Sequence, residues 1–223
     1  MRELRYATCQ MAISVKQVFE RKDLDTDSIN TLSSLSVSGD LLNDRWKTWE
    51  HETFKLYKYQ TLDTTQCWPP GTFLAPKEAS TIHIYGSLTI GSVWNGFRTT
   101  RLYLLQHLIH IASYLNDVNS AATEPSTNRA SIARFVSESQ VLADDMCASV
   151  PYMLGEVDQQ AMLRSARQAK AVGGLFMLWP LGSLLHLHFL PPDKVDWIKS
   201  RVAYIRDALG IQQAGNVIKL ADS

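Results

Sequence analysis

The sequence has little of several features that assign a protein to a class at once. No charge sign dominates, because 22 Lys and Arg balance 22 Asp and Glu over 223 residues, so no basic surface is ready to neutralise a phosphate backbone. Glycine and proline are scarce, at 11 and 8 residues, while apolar residues make up 45%, which excludes a disordered or collagen-like chain. We expect a globular protein with no direct nucleic-acid partner.

Cysteine is scarce as well: Cys9, Cys67 and Cys147 stand far apart and form no C-x-x-C pair. An odd number of isolated cysteines favours a reduced, intracellular protein, in the cytoplasm or nucleus, over a disulfide-bonded secreted one. Charged residues interrupt the first twenty positions, which leaves no apolar signal-peptide core. Since metal-binding His frames and glycine-rich phosphate loops are also missing, we expect neither a metal nor a cofactor.

One long apolar run invites a membrane interpretation. Residues 171–192 contain no charged side chain, and a run of that length can span a bilayer. The run also contains glycines, Pro180 and two histidines, whose polar groups are costly in lipid. We therefore expect a buried apolar helix over 175–189, broken at Pro180, and no membrane partner.

Most of the chain has apolar residues at helical spacing, and no run of strand-like alternation competes with this pattern. The sequence predicts an all-α fold, with one domain over 1–223 and about seven to nine helices around a long central helix at 87–116. The opening helix should bury one face, which consists of Leu4, Ala7, Met11, Val15 and Val18.

Caps and prolines predict where helices begin and end. Residues 23–40 are rich in Ser and Asp and predict a loop holding a short helix, after which Asp40 caps the next helix. Pro151 is expected to close a helix, because the residue before a proline avoids the α region. A polar helix is expected over 156–170, and Gly210 is expected to end the last long helix.

The most informative cluster lies in the predicted central helix. Trp94, Arg98 and Arg101 follow at i, i+4 and i+7 and therefore share one face, and Asn95 adjoins Arg98 at i+3. Buried arginines need anionic or carbonyl partners. Two interpretations stay open: a ligand supplies those partners, or carboxylates such as the adjacent aspartates at 144–145 supply them and the cluster is structural.

With this cluster as its first signature, the sequence resembles the C-terminal region of fungal regulators of the six-cysteine binuclear zinc cluster type, the fungal-specific transcription factor domain. The resemblance is strongest over 82–221. Five signatures match in order. They are Trp94-Asn95-x-x-Arg98-x-x-Arg101, Cys147-Ala148-Ser149-Val150-Pro151-Tyr152 with Leu154-Gly155, Leu178-Trp179-Pro180-Leu181, Trp197-Ile198, and Gly210-Ile211 with Gln213-Ala214.

The resemblance implies an all-helical fold, in agreement with the periodicity. Members of this family usually carry a DNA-reading zinc cluster near their N-terminus. Three scattered cysteines cannot build a six-cysteine cluster, so the DNA-binding activity of the family does not carry over to this chain.

Two hypotheses for function follow. In the first, a stand-alone helical domain holds a hydrophobic small molecule, an apolar fungal secondary metabolite, and catalyses a cofactor-free cyclisation or isomerisation of the pericyclase type. In the second, the chain is a regulatory or dimerisation fragment of a zinc-cluster transcription factor and forms a homodimer. The candidate ligand-binding residues are Trp94, Asn95, Arg98, Arg101, Tyr152 and Trp179, and the candidate catalytic residues are His107 and His186.

The first hypothesis places the pocket between the central helix and the apolar helix. A bend at Pro180 would leave imperfect packing beside aromatic walls, and His107 and His186 would supply hydrogen bonds or assist a proton shift. In the alternative, both histidines face solvent, Trp179 fills the bend, and the aromatic residues are ordinary core.

Overall fold

The computed structural model describes residues 1–21, 24–64, 81–119, 127–163 and 171–221. Within these ranges the chain is mostly α-helical, with one antiparallel pair of short strands, which confirms the all-α class. The helices are α1 (Arg2–Phe19), α2 (Thr26–Leu56), α3 (Leu88–Asn119), α4 (Thr127–Leu154), α5 (Ala171–Leu185), α6 (Pro192–Asp207) and α7 (Ala214–Ala221), and the strands are β1 (Tyr59–Asp63) and β2 (Thr81–Tyr85).

The contacts of the chain group it into two compact units. The first comprises Met1–Thr53 and Thr100–Val141, and the second comprises Phe54–Thr99 and Leu142–Ser223. The single domain expected from the sequence stays a prediction.

Helix α1 forms as its apolar spacing predicts. Leu4, Met11, Val15 and Val18 are buried on one face, where removal of apolar surface from water stabilises the first unit. Thr8 on the same helix accepts a hydrogen bond from the indole nitrogen of the buried Trp46 on α2 at 3.1 Å.

The prediction for residues 23–40 was wrong, because α2 begins at Thr26 and runs without interruption to Leu56. Its N-terminus is capped by Asp25, whose carboxylate accepts the backbone N–H of Ser28 at 2.9 Å. Asp40 lies inside the helix and caps nothing. The serines that predicted a loop are accommodated by local bonds, as when the hydroxyl of Ser33 donates to a carbonyl four residues earlier.

Helix α3 has 32 residues and is the longest in the described chain, as predicted for the central helix. The end of α4 differs from the prediction, because the helix passes through Pro151 and stops at Leu154. A left-handed Gly155, with φ of 79°, ends it, while Glu156 N–H bonds to the carbonyl of Pro151 at 2.8 Å. This is a Schellman closure, and Pro151 in the last turn costs α4 one backbone hydrogen bond.

The polar helix expected over 156–170 is absent from the part that the structure describes, 156–163, and the rest lies outside the described residues. Here Val157 and Leu163 form an isolated β-bridge. The Asp158 carboxylate accepts backbone N–H groups of Gln160 and Met162, each at 2.9 Å. Such side-chain bonds offer the backbone an alternative to the helical ladder.

The apolar helix α5 is not broken at Pro180, which lies within a continuous helix. Proline already has a helical φ, so the loss is limited to one backbone hydrogen bond and local crowding. At the start of α5, a Cβ on Gly173 would lie 1.7 Å from the carbonyl oxygen of Met153, so only glycine permits this approach of α5 to the end of α4. No helix in the described ranges is long and apolar enough to cross a membrane.

Helix α6 begins at Pro192, as predicted, and ends shortly before Gly210, which has a φ of +74°. Two elements were not predicted: the short helix α7 and the β1–β2 ribbon, in which Tyr59 pairs with Tyr85. The ribbon escaped sequence analysis because each strand has five residues and the last four of β2 are all buried, so no polar-apolar alternation marks it.

Candidate functional site

The best-defined polar site in the second unit surrounds Arg98, which is 1% exposed. The α3 helix places its guanidinium against the β2 strand, where Nη1 donates to the Tyr85 hydroxyl at 2.7 Å and Nη2 lies 3.3 Å from His83 Nδ1. Nη1 also donates to Asn95 Oδ1 at 3.2 Å, one turn earlier on α3. Asp145 on α4 completes an ion pair, with Oδ2 3.5 Å from Nη2. We call these five residues the Arg98 cluster.

Aromatic rings surround the Arg98 cluster. The guanidinium carbon lies 5.2 Å from the ring centre of Tyr59 and 5.8 Å from that of Trp94, which is within cation–π range. The Tyr152 ring contacts that of Tyr85 at 5.6 Å. Trp94 is fixed in turn by its indole N–H, which donates to the carbonyl of Tyr57 at 2.9 Å.

Burial sets the protonation states in the Arg98 cluster. Burial, with the Arg98 charge second, lowers the pKa of His83 to about 3, so the imidazole is neutral at physiological pH. Burial raises the pKa of Tyr85 to about 12 although Arg98 opposes it, so the phenol stays protonated. Burial also raises the pKa of Asp145 more than Arg98 lowers it. For Arg98 itself, burial lowers the pKa, but Tyr85 and Asp145 outweigh it.

These states define what the Arg98 cluster can do chemically. Neutral His83 can accept through Nδ1 and present its Nε2–H to Asp145 Oδ1, 3.8 Å away. Arg98 is a fixed cation whose terminal nitrogens already have side-chain partners, although its Nε has none. The cluster is therefore a charge-compensated structural network, and its one carboxylate, at 27% side-chain exposure, is the part that reaches solvent.

Arg101 belongs to a separate network in the first unit. Its Nη2 pairs with Glu138 at 2.7 Å, its Nη1 with Glu50 at 3.1 Å, and its Nε donates to Asn43 Oδ1 at 3.0 Å. Lys47 pairs with the other Glu138 oxygen at 3.0 Å. Burial raises the pKa of Glu138, but bonds from Asn43 and Lys47 and the charge of Arg101 together lower it below its usual value.

The expectation that a carboxylate pairs with one of these arginines is confirmed. Arg98 pairs with Asp145, one of the two aspartates named from the sequence. Arg101 uses Glu50 and Glu138 instead. Both arginines of the motif therefore have protein anions as partners, as the structural interpretation requires.

The structure brings together only some of the predicted ligand-binding residues. Trp94, Asn95 and Tyr152 are buried around Arg98. In contrast, Trp179 is 76% exposed, and the candidate catalytic His186 is also exposed.

The other candidate catalytic residue, His107, lines an open groove in the first unit. The groove has a volume of about 500 Å³ and lies between α1 and the Thr100–Asn119 part of α3. Phe19 stacks on His110 at 4.0 Å, and Tyr103 meets His107 edge-on at 4.6 Å. His107 Nε2 is buried and has no hydrogen-bond partner. Burial, with the charge of His110 second, lowers the pKa of His107.

Sequence reasoning missed His83 and Tyr85 of the Arg98 cluster and also missed Tyr59, whose ring lies beside the guanidinium. They reach Arg98 because β1 pairs with β2, and local periodicity carries no information on that pairing. The signal that could have found them is His83 itself, a polar residue between two isoleucines that are both buried. A histidine in such a setting needs a polar partner. Among the described residues no group of three or more His, Cys, Asp and Glu side chains is placed to hold a metal ion.

Comparison with known proteins gives one informative similarity. The transcription factor dbaG of Emericella nidulans is 25% identical over 183 residues, which cover 76% of this chain and 39% of that protein. This chain therefore spans less than half of that relative. No family model matches the chain, and no solved structure matches it. The chain is thus distantly similar to a fungal transcription factor, in agreement with the family type that the five signatures indicate.

Proposed function

We propose that the chain is a regulatory domain of the fungal transcription-factor type, which works through contacts with other macromolecules and does not read DNA itself. The observation that carries the proposal is the similarity to a transcription factor over 76% of the chain, in a sequence of zero net charge. The Arg98 and Arg101 networks support it, because carboxylates of the same unit neutralise both arginines and leave neither for phosphate. Such a domain would act in the nucleus.

Two assays test this function. In a gel shift at physiological salt, the purified chain should show no sequence-dependent binding at nanomolar concentration, whereas specific DNA readers typically bind at about 10⁻⁸ to 10⁻¹¹ M. Fused to an unrelated DNA-binding domain in fungal cells, it should change transcription of a reporter relative to that domain alone. Sequence-specific DNA binding, or a reporter that does not respond to the fusion, contradicts the proposal.

A second candidate function, binding of a hydrophobic small molecule, rests on the groove beside His107. Its volume of about 500 Å³ lies in the range of drug-sized ligand sites. His107, Phe19 and Tyr103 line the groove with an imidazole and two aromatic rings, and the imidazole could hydrogen-bond a hydroxyl or carbonyl group. Cofactor-free cyclisation or isomerisation of such a ligand stays a prediction from the sequence.

Fluorescence of the dye 1-anilinonaphthalene-8-sulfonate, with and without long-chain alcohols as competitors, tests the second candidate. Decanol should displace the dye from the wild-type chain. His107→Leu should weaken decanol binding about three- to tenfold, because one hydrogen bond contributes about 0.5–1.5 kcal/mol, while the control His51→Leu at an exposed position of α2 should change nothing. Equal decanol affinity in the wild type and His107→Leu rules this site out.

A further inference from the structure

Helix α5 is apolar on every side, yet half of it lies at the surface. Its inner face, with Met177, Leu181 and Leu184 among its residues, is buried in the second unit. A helix that is apolar all round is ordinarily buried on all sides. The composition of the exposed half of α5 is therefore poorly suited to contact with water.

The exposed half forms one continuous stripe. Val172, Leu175, Phe176 and Trp179 stand at i, i+3, i+4 and i+7, so they share one face of the helix. Trp179 is 76% exposed and the other three are between 38% and 56% exposed. We call these four residues the α5 face. Together they present roughly 450 Å² of apolar surface, which is the size of the largest apolar patch on a typical monomer, and such patches are often functional.

We propose that the α5 face is a self-association surface on which two copies of this chain pack face to face. This proposal does not depend on the regulatory function proposed above. The α5 face carries no charge that would oppose pairing with itself. Residues 171–192 contain no charged side chain, so two identical faces meet without like-charge repulsion. Two-fold pairing requires such self-complementarity.

The area that two α5 faces would bury also fits a stable dimer. Two α5 faces bury roughly 900 Å² of apolar surface, and homodimer interfaces are about 65% apolar. The whole interface would then bury roughly 1,400 Å², which is within the range of stable, specific complexes. Trp179 is the largest and most exposed side chain of this face and would be the main source of binding energy, since tryptophan is enriched among hot spots.

A lipid surface fits the α5 face less well. Helices that lie on membranes carry Lys or Arg along their polar side to meet headgroups, whereas α5 carries none and its other side is buried in protein. With 15 residues, α5 is also too short to span a bilayer.

Sedimentation velocity of the purified chain between about 1 and 100 μM tests the proposal. The wild type should shift from monomer to dimer with concentration. Leu175→Glu and Trp179→Ala should each weaken dimerisation at least tenfold, because Glu places two like charges across the two-fold axis and Ala removes the largest ring of the face. The matched control Leu41→Glu, at an exposed leucine of α2, should dimerise like the wild type.

Circular dichroism melting confirms that each variant is folded before its association is compared. A wild type that stays monomeric at 100 μM overturns the proposal. So does a dimer that both α5 variants leave intact, or one that Leu41→Glu disrupts equally. A monomer that co-sediments with phosphatidylcholine and phosphatidylserine vesicles, and loses this binding in Trp179→Ala, would assign the face to lipid instead.

Discussion

Without the Arg98 guanidinium, the second unit should unfold at a lower temperature and a lower urea concentration. Arg98→Ala deletes hydrogen bonds to Tyr85 and Asn95 and the ion pair with Asp145. Tyr85 and Asn95 are buried, so water cannot replace the lost donor without entering the core. Asp145 is partly exposed, so water can solvate its carboxylate in part.

The expected loss follows from these contacts. Each buried polar group left without a partner costs about 1–3 kcal/mol, and breaking a buried ion pair from one side typically costs about 3–5 kcal/mol in all. Because Asp145 can rehydrate, we expect Arg98→Ala to lower the free energy of unfolding by about 3–4 kcal/mol. For a chain of this length, this corresponds to a fall in melting temperature of roughly 10 °C.

Urea denaturation followed by circular dichroism measures this loss, with Arg134→Ala as the control. Arg134 forms a bidentate but solvent-exposed pair with Asp40, and exposed pairs contribute about 0–1 kcal/mol. A double-mutant cycle of Arg98→Ala with Asp145→Asn should give a coupling energy of at least about 1 kcal/mol. An Arg98→Ala loss below about 1 kcal/mol, or no larger than that of Arg134→Ala, would refute the structural role.

Three further predictions concern other residues. The folded-state pKa of His83 is lowered to about 3, so between pH 6.5 and 5.0 only the unfolded chain takes up a proton at this imidazole. The free energy of unfolding should therefore fall by about 2 kcal/mol over that range. His83→Gln should remove this part of the pH dependence in urea titrations, and an unchanged dependence of the free energy of unfolding on pH contradicts the prediction. Gly173→Ala should destabilise by more than about 2 kcal/mol, because its Cβ meets the Met153 carbonyl, and a wild-type melting temperature would disprove the clash. Burial raises the pKa of Cys147 to about 12, so Ellman's reagent should modify exposed Cys9 and leave Cys147 unreacted in the folded chain. If Cys147→Ala has fewer reactive thiols than the wild type under native conditions, Cys147 does react and the prediction is wrong.

Sequence predicted the helices well where the apolar period alone decides them. Helix α1 buries most of the predicted face, and α6 begins at Pro192, whose fixed φ suits the first turn of a helix. The failures arose where two local rules compete. Asp25 and Asp40 are equal as cap residues by type, and the structure uses the earlier one because the serine-rich segment between them is helical. Pro180 predicts a break, yet α5 continues through it, because proline already has a helical φ and only one backbone hydrogen bond is lost.

The candidate site was predictable only in part, for a similar reason. Helical spacing puts Arg98 beside Asn95 and Trp94, and the need of a buried cation for an anion points to a carboxylate such as Asp145. The partners on the β ribbon depend on strand pairing between distant residues, which no local pattern specifies.

The two buried arginines of α3 should fix the register of this helix. Arg98 and Arg101 are one turn apart, and each is compensated by carboxylates within its own unit. A shift of α3 by one residue would rotate both guanidinium groups by about 100° and leave two buried charges unpaired. An apolar residue would tolerate such a shift more easily, which is why buried ion pairs are better evidence for a unique register than for net stability. Under the function proposed above, partners would be recognised by other side chains, and the groove beside His107 and the α5 face are two candidate surfaces among the described residues.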